Sequence, residues 1–302
     1  MRTPHAAPLA RTIALTVLSA LPVAALVSLT AQERPLPNQE SFLREVRTRL
    51  QTDSSLQSSY IYVETRREQK LDGSGRVKEE SVKVFESYPG LPGEERWERL
   101  ISENGRPRSA SDLEKELGSR QRKAEALARE ATEQPAKQQA HQRREYAKER
   151  REFDAILDDL FLVYNIRMER REVLDGHETI VFSLTPRRDA KTRTKEGSQM
   201  RAFAVRAWVN ESDHELVRVD AEAIDTLAMG FGLLARLHKG AKLSFERTKV
   251  NDEVWLPSRV TYSGSARVGL LVVLRRSGTS EYSGYRKFSV DTSSSTFRPA
   301  TP

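Results

Sequence analysis

The spacing of apolar residues changes period several times along the chain. From Asn38 to Leu50, the apolar residues Phe42, Leu43, Val46 and Leu50 recur at helical spacing, with Arg44, Glu45, Arg47 and Arg49 facing away. Asn38 stands where a helix cap belongs. This predicts a short amphipathic helix that needs a surface to lie on, fading at Asp53-Ser54-Ser55. Period two then takes over. Tyr60, Tyr62 and Glu64 alternate with Ile61, Val63 and Thr65, and Leu71-Asp72-Gly73-Ser74-Gly75 reads as a turn. A return strand follows through Val82, Val84 and Phe85 to Tyr88-Pro89, then a loop to Gly93. Trp97, Arg99 and Ile101 lead to Asn104-Gly105, a hairpin-type turn that Pro107 turns into a loop in the alternative reading.

Residues 110–160 break this rhythm. They are rich in Ala, Glu, Gln, Arg and Lys, with no aromatic residue before Tyr146. Residues 111–160 hold 11 basic and 12 acidic side chains, so the segment is dense in charge yet nearly neutral. Interspersed signs favour i,i+4 pairs on a solvated helix. Leu113 and Leu117 anchor its start, and Phe153, Ile156, Leu157 and Leu160 form an apolar stripe at its end. The expectation is a helical insertion docked at both ends and interrupted at Gly118 and Pro135, with a disordered centre around 118–140 as the alternative.

After residue 160 the strand period returns. Leu162, Tyr164, Ile166 and Met168 alternate, and Asp175-Gly176 turns the chain into Ile180, Phe182 and Leu184. Residues 187–199 read as a basic, polar loop. Phe203, Val205, Ala207 and Val209 share one face of the next strand, with Trp208 on the other. Further strands are expected over Leu216 to Ala223, at Leu243 and Phe245, from Trp255 to Tyr262, over Leu270 to Leu274 and from Tyr282 to Val290. About eleven strands without intervening helices argue an antiparallel meander. A sheet that long must curl or close. The expected fold is therefore mainly β with helices (α+β). Residues 59–103 and 161–291 form one curved antiparallel sheet, with the 38–50 helix packed on it.

One link between strands is unusually apolar: Leu227-Ala228-Met229-Gly230-Phe231-Gly232-Leu233-Leu234, followed by Leu237. Two readings stay open. It is ordinary core, or it is a mobile apolar lid hinged at Gly230 and Gly232. On the second reading Leu227, Met229, Phe231, Leu233, Leu234 and Leu237 are the candidate ligand-binding residues. Several strands also carry apolar residues on both faces, as with Trp208 against Val205 and Val209. Such a sheet needs helical cover on both sides, or a concave face that takes an apolar ligand.

Charge and composition narrow the class. The chain has 302 residues, no cysteine, and a net charge of +7. Residues 1–31 have the order of an export peptide: Arg2 and Arg11 at the start, an apolar run from Ile13 to Leu29 broken by Pro22, and Leu29-Thr30-Ala31 before Gln32. The expectation is a cleaved leader, a periplasmic or secreted product spanning 32–302 as one domain, and no lipid anchor through cysteine. The spread positive charge does not resemble a nucleic-acid footprint, and attraction to an anionic surface suits it better.

Catalytic patterns are sparse. The five histidines at 5, 141, 177, 214 and 238 have no zinc spacing. Gly73-Ser74-Gly75 and Gly264-Ser265 are not nucleophile elbows. Gly230-x-Gly232 lacks the context of a dinucleotide fingerprint, and Lys239-Gly240-Ala241-Lys242 is no phosphate loop. Neither a cofactor nor a metal is expected, and no enzymatic role.

A resemblance adds to this. Trp208-Val209-Asn210-Glu211-Ser212-Asp213-His214-Glu215-Leu216-Val217-Arg218-Val219-Asp220 resembles a hairpin of the exported lipoprotein-sorting proteins, the LolA, LolB and RseB group. Lys242-Leu243-Ser244-Phe245-Glu246 and Asn251-Asp252-Glu253-Val254-Trp255-Leu256-Pro257 are similar to the strand pair that follows there. The resemblance covers about residues 160 to 291, with weaker agreement for 59 to 103. It implies a curved half-barrel that holds acyl chains or lipid-modified proteins on an apolar concave face. Two departures stand out: the absent cysteine of LolB-type members, and the charged insertion. Two functions therefore compete: a module binding a lipid or lipoprotein, and a structural envelope protein with a self-filled core and a protein partner on its charged helix. A hydrolase of an envelope polymer comes third.

Overall fold

The computed structural model describes residues 34–52, 59–91, 96–133, 135–229, 235–268 and 272–287. The expected leader at 1–31 lies outside them. The chain divides into two compact units, Met1–Pro35 and Leu36–Pro302; the elements below all belong to the second. No helix among the described residues is long and apolar enough to cross a membrane.

Helix α1 (Gln39–Thr52) begins where the sequence places its cap. Asn38 Oδ1 accepts from the Ser41 amide at 3.0 Å, satisfying one of the donors a helix start leaves over. The N-terminal hairpin follows as β1 (Tyr60–Leu71) and β2 (Val77–Tyr88), then β3 (Trp97–Glu103) and the two-residue β4 (Arg106–Pro107). Pro107 does not abolish the hairpin, because a two-residue edge strand can carry it. Asn104 and Gly105 take φ of 51° and 76°, as a tight turn requires.

The insertion is two helices, α2 (Ala110–Glu133) and α3 (Pro135–Val163). The expected break at Pro135 is present. The expected break at Gly118 is not: α2 runs through it, since one glycine costs only about 1 kcal/mol in a helix of strong formers.

From the end of α3 the chain re-enters the sheet as β5 (Tyr164–Leu174), β6 (His177–Pro186), β7 (Phe203–Asn210) and β8 (Leu216–Ala223). The polar stretch expected as a loop contains a short helix, α4 (Lys195–Met200), capped by Thr194. Then come β9 (Leu227–Met229), β10 (Ala235–Leu237), β11 (Lys242–Val250), β12 (Val254–Val268) and β13 (Val272–Lys287).

All pairings are antiparallel and belong to one sheet, ordered β4-β3-β2-β1-β13-β12-β11-β8-β7-β6-β5, with β10 beside β12 and β9 beside β10. The sheet curves into an open half-barrel whose edges, β4 and β5, do not meet. The backbone ladder joins the N-terminal hairpins to the later meander through β1 and β13, in a register that sets Thr65 opposite Glu281 and Gln69 opposite Ser277, and Tyr60 packs on Val254 and Leu256. Bulges bend β1, β2, β5, β8 and β11 or their partners, and each adds local twist.

The main core lies where α1 and the end of α3 meet β5–β7. Phe42 and Val46 pack with Val163, Ile180, Phe182, Leu184 and Val209, and the Phe42 and Phe182 rings stand 5.8 Å apart. A buried acid locks α3 to α4. Asp159, fully buried, accepts from the Arg193 amide at 3.0 Å, the Thr194 amide at 2.7 Å and the Thr194 hydroxyl at 2.7 Å. Burial raises its pKa. The Thr194 hydroxyl and the two amides outweigh that and hold it below the ordinary 3.8. Gly197 is required here, since a Cβ would stand 2.3 Å from Asp159 Oδ2.

Candidate functional site

Cross-strand partners share a face, so the register sorts the sheet into two surfaces. The first continues the core. Leu184 pairs with Val205, Val205 with Ala221, Ala221 with Leu243, and Leu243 with Tyr262. The neighbouring row is Phe182, Ala207, Val219, Phe245 and Val260. Helix α1 covers only the β5–β7 part of this surface. Exposure rises away from it, from 8% at Leu184 to 44% at Leu243. The surface runs on to Leu237, which pairs with Leu227 on one side and Ala266 on the other.

The opposite surface is polar. Ser183, Arg206, Asp220, Ser244, Thr261, Thr279 and Arg67 form one row; Thr185, Ala204, Glu222, Lys242, Ser263, Ser277 and Gln69 form the next. Both rows, together with Leu184, Val205, Ala221, Leu243 and Tyr262 of the first surface, line a hollow of about 710 Å³. Arg218 clamps Asp220 through two bonds of 3.0 and 2.9 Å, and Ser244 donates to the same carboxylate at 2.6 Å. The Asp220 contact raises the Arg218 pKa. Arg218 also lies 5.0 Å over the Trp208 ring, so this large apolar side chain is roofed by a guanidinium.

The six expected ligand-binding residues are thus placed unevenly. Leu227 and Leu237 oppose each other in β9 and β10. The backbone of Met229 pairs with Ala235. Phe231, Leu233 and Leu234, with the expected hinges Gly230 and Gly232, lie outside the described residues. Neither Leu227 nor Leu237 lines the 710 Å³ hollow; Leu227 borders a smaller one of about 300 Å³ with Arg188, Ser198, Arg201 and Asp225. The 710 Å³ hollow is also lined by Leu184, Val205, Ala221 and Leu243 of the apolar row, so it mixes polar and apolar residues and differs from the wholly apolar concavity that the resemblance implies. Its polar row was signalled in the sequence by Ala204 and Arg206 of β7, Asp220 and Glu222 of β8, and Lys242 and Ser244 of β11, each at every second position.

Among the described residues, no group of three or more His, Asp or Glu side chains is placed to hold a metal. His238 Nδ1 lies 3.0 Å from Ser265 Oγ, a nucleophile–base distance. The His238 amide donates to the Ser265 carbonyl at 2.9 Å as well. No carboxylate among the described residues hydrogen-bonds the ring to orient it, so the contact serves as a turn clasp.

No protein-family model matches the chain, and no curated protein matches it in sequence. Three solved structures to which it is similar are all distant. A LolA superfamily protein from Nitrosomonas europaea is 10% identical, with 86% of this chain and 98% of that chain covered and a TM-score of 0.27. An outer membrane lipoprotein-sorting protein domain from Vibrio parahaemolyticus is 10% identical, with 83% and 93% covered and a TM-score of 0.31. The MucA/MucB complex of Pseudomonas aeruginosa matches at 8% identity, with 82% and 98% covered and a TM-score of 0.21.

Proposed function

We propose that the chain is an exported, non-enzymatic binding module that holds an apolar or acylated chain, from a lipid or a lipoprotein, on the open part of its apolar sheet face. The observation that carries this reading is Leu243, 44% exposed in the middle of a row that begins as buried core. An aliphatic side chain there gains roughly 25 cal/mol for each Å² of apolar surface a ligand removes from water. Leu227 and Leu237 extend the row towards the β9–β10 hairpin, which supports their assignment as ligand contacts.

The test is a titration with a fluorescent fatty acid. Wild type binds it. Leu243→Asp lowers affinity about tenfold or more, close to 1.4 kcal/mol, with a melting temperature near that of wild type. A variant with unchanged affinity removes this face from the reading. A second reading, an envelope protein partner on the charged insertion, is favoured by Tyr146, 65% exposed on α3. Tyr146→Ala then weakens capture of that partner and leaves the fatty acid titration unchanged.

A further inference from the structure

Several cations on this sheet stand opposite acids, and where like charges are opposed, as Arg66 with Lys83, each has an acid partner of its own. Arg259 pairs with Glu281 at 2.8 Å, Lys70 with Glu79 at 2.7 Å, Arg218 with Glu246 at 3.4 Å and Lys242 with Glu222 at 3.8 Å. Each pair is directly opposed in the register. The end built from β10, β12 and the start of β13 departs from this. Arg236 is directly opposite Arg267. Arg275, opposite Ser265, lies on the same face two positions along β12. Among the described residues, none of these three arginines makes an ion pair. Like charges directly opposed destabilise a strand pair unless something else neutralises them.

The same end is apolar on its outermost residues. Val268 and Val272 oppose each other and are 41% and 54% exposed; Val273 and Leu274 follow at 44% and 36%. Along β13 the order outwards is Arg276, Arg275, Leu274, Val273, Val272. Val268 and Val272 thus lie beyond the levels of Arg236, Arg267 and Arg275, while Leu274 lies between the levels of Arg275 and Arg267. A bilayer interface has that layering: headgroup phosphates outside, acyl chains within. Arginine suits the phosphate layer, because it bonds phosphate oxygens in pairs while its stem lies along apolar surface.

We propose that this end of the half-barrel docks on an anionic lipid bilayer, with Val268 and Val272 at the acyl boundary and Arg236, Arg267 and Arg275 on headgroup phosphates. The proposal stands apart from acyl binding at Leu243, because its arginines lie on the opposite face.

The test is co-sedimentation of the full chain with vesicles. Two compositions are used, phosphatidylcholine alone and a mixture with about one third phosphatidylglycerol, at low salt where surface charge acts most strongly. Wild type prefers the anionic vesicles. Arg236→Glu, Arg267→Glu and Arg275→Glu together lower that binding about tenfold or more, with melting temperature and fatty acid affinity unchanged. Val268→Asp with Val272→Asp lowers it by a similar factor. Because Arg236, Val268, Val272 and Arg275 are exposed and Arg267 is half-buried, loss of folding is not expected, and the melting curve checks it. Equal binding of wild type and both variants would overturn the proposal, as would indifference to phosphatidylglycerol. A dimer in sedimentation velocity that Val272→Asp dissolves, with no vesicle binding, would assign the surface to a second copy instead.

Discussion

The two ends of the apolar face carry the same alternation and meet opposite fates. At β5–β7, Phe182 and Leu184 lie beneath Phe42 and Val46 of α1. At β10–β13, Leu274 and Val272 face outwards. Residue type does not separate the two ends. The difference is a helix more than one hundred residues away in sequence, which covers one end and leaves the other open. Period-two patterning states which residues share a face; tertiary docking decides which of them are removed from water.

The largest expected effect sharpens that contrast. Phe182→Ala at the covered end lowers unfolding free energy by about 3–5 kcal/mol, whereas Val272→Ala at the open end changes it by no more than about 0.5 kcal/mol. Denaturant unfolding measures both, and equal losses would erase the distinction. Next comes the clasp at the covered end. Asp159→Ala costs about 3 kcal/mol, because buried donors lose a charged acceptor. Its pH dependence has a fixed sign. The folded-state pKa is below the unfolded 3.8, so this stabilisation is complete above the unfolded value. It is lost as pH falls through the lower, folded one. Melting curves of wild type and Asp159→Ala should therefore converge only at acid pH. Gly197→Ala, which drives a Cβ onto the same carboxylate, costs about 1–3 kcal/mol.

The smallest effect concerns the insertion. A short linker in place of residues 119–149 should leave the unfolding midpoint nearly unchanged. None of the described side chains in that range is buried, while Leu113, Leu157 and Asp159 remain. A large drop in the midpoint would show that the helical pair supports the sheet.

Local chemistry made much of the architecture legible. Asn38 and the Phe42–Val46 stripe gave away α1, Asp175-Gly176 and Asn251-Asp252 marked hairpins, and period two on both sides of the insertion pointed to one sheet. The closing pair, β1 with β13, joins segments about two hundred residues apart, which no local pattern encodes. Helix α4 was hidden in a polar stretch because its stability comes from Asp159 on α3 rather than from its own six residues. The polar hollow went unread for another reason. Serine, threonine and paired charges read singly as solvated surface, and only the register brings Arg206, Asp220, Ser244 and Thr261 into one row.

The central claim is that the uncovered apolar face holds an apolar chain. Native mass spectrometry of the protein purified from its own envelope tests it most directly, because it reports a retained ligand without a chosen probe. The account predicts a wild-type population carrying an added mass in the range of a fatty acid or phospholipid, and its loss in Leu243→Asp. A bare mass for wild type in every charge state, or an adduct that persists unchanged in Leu243→Asp, would contradict it.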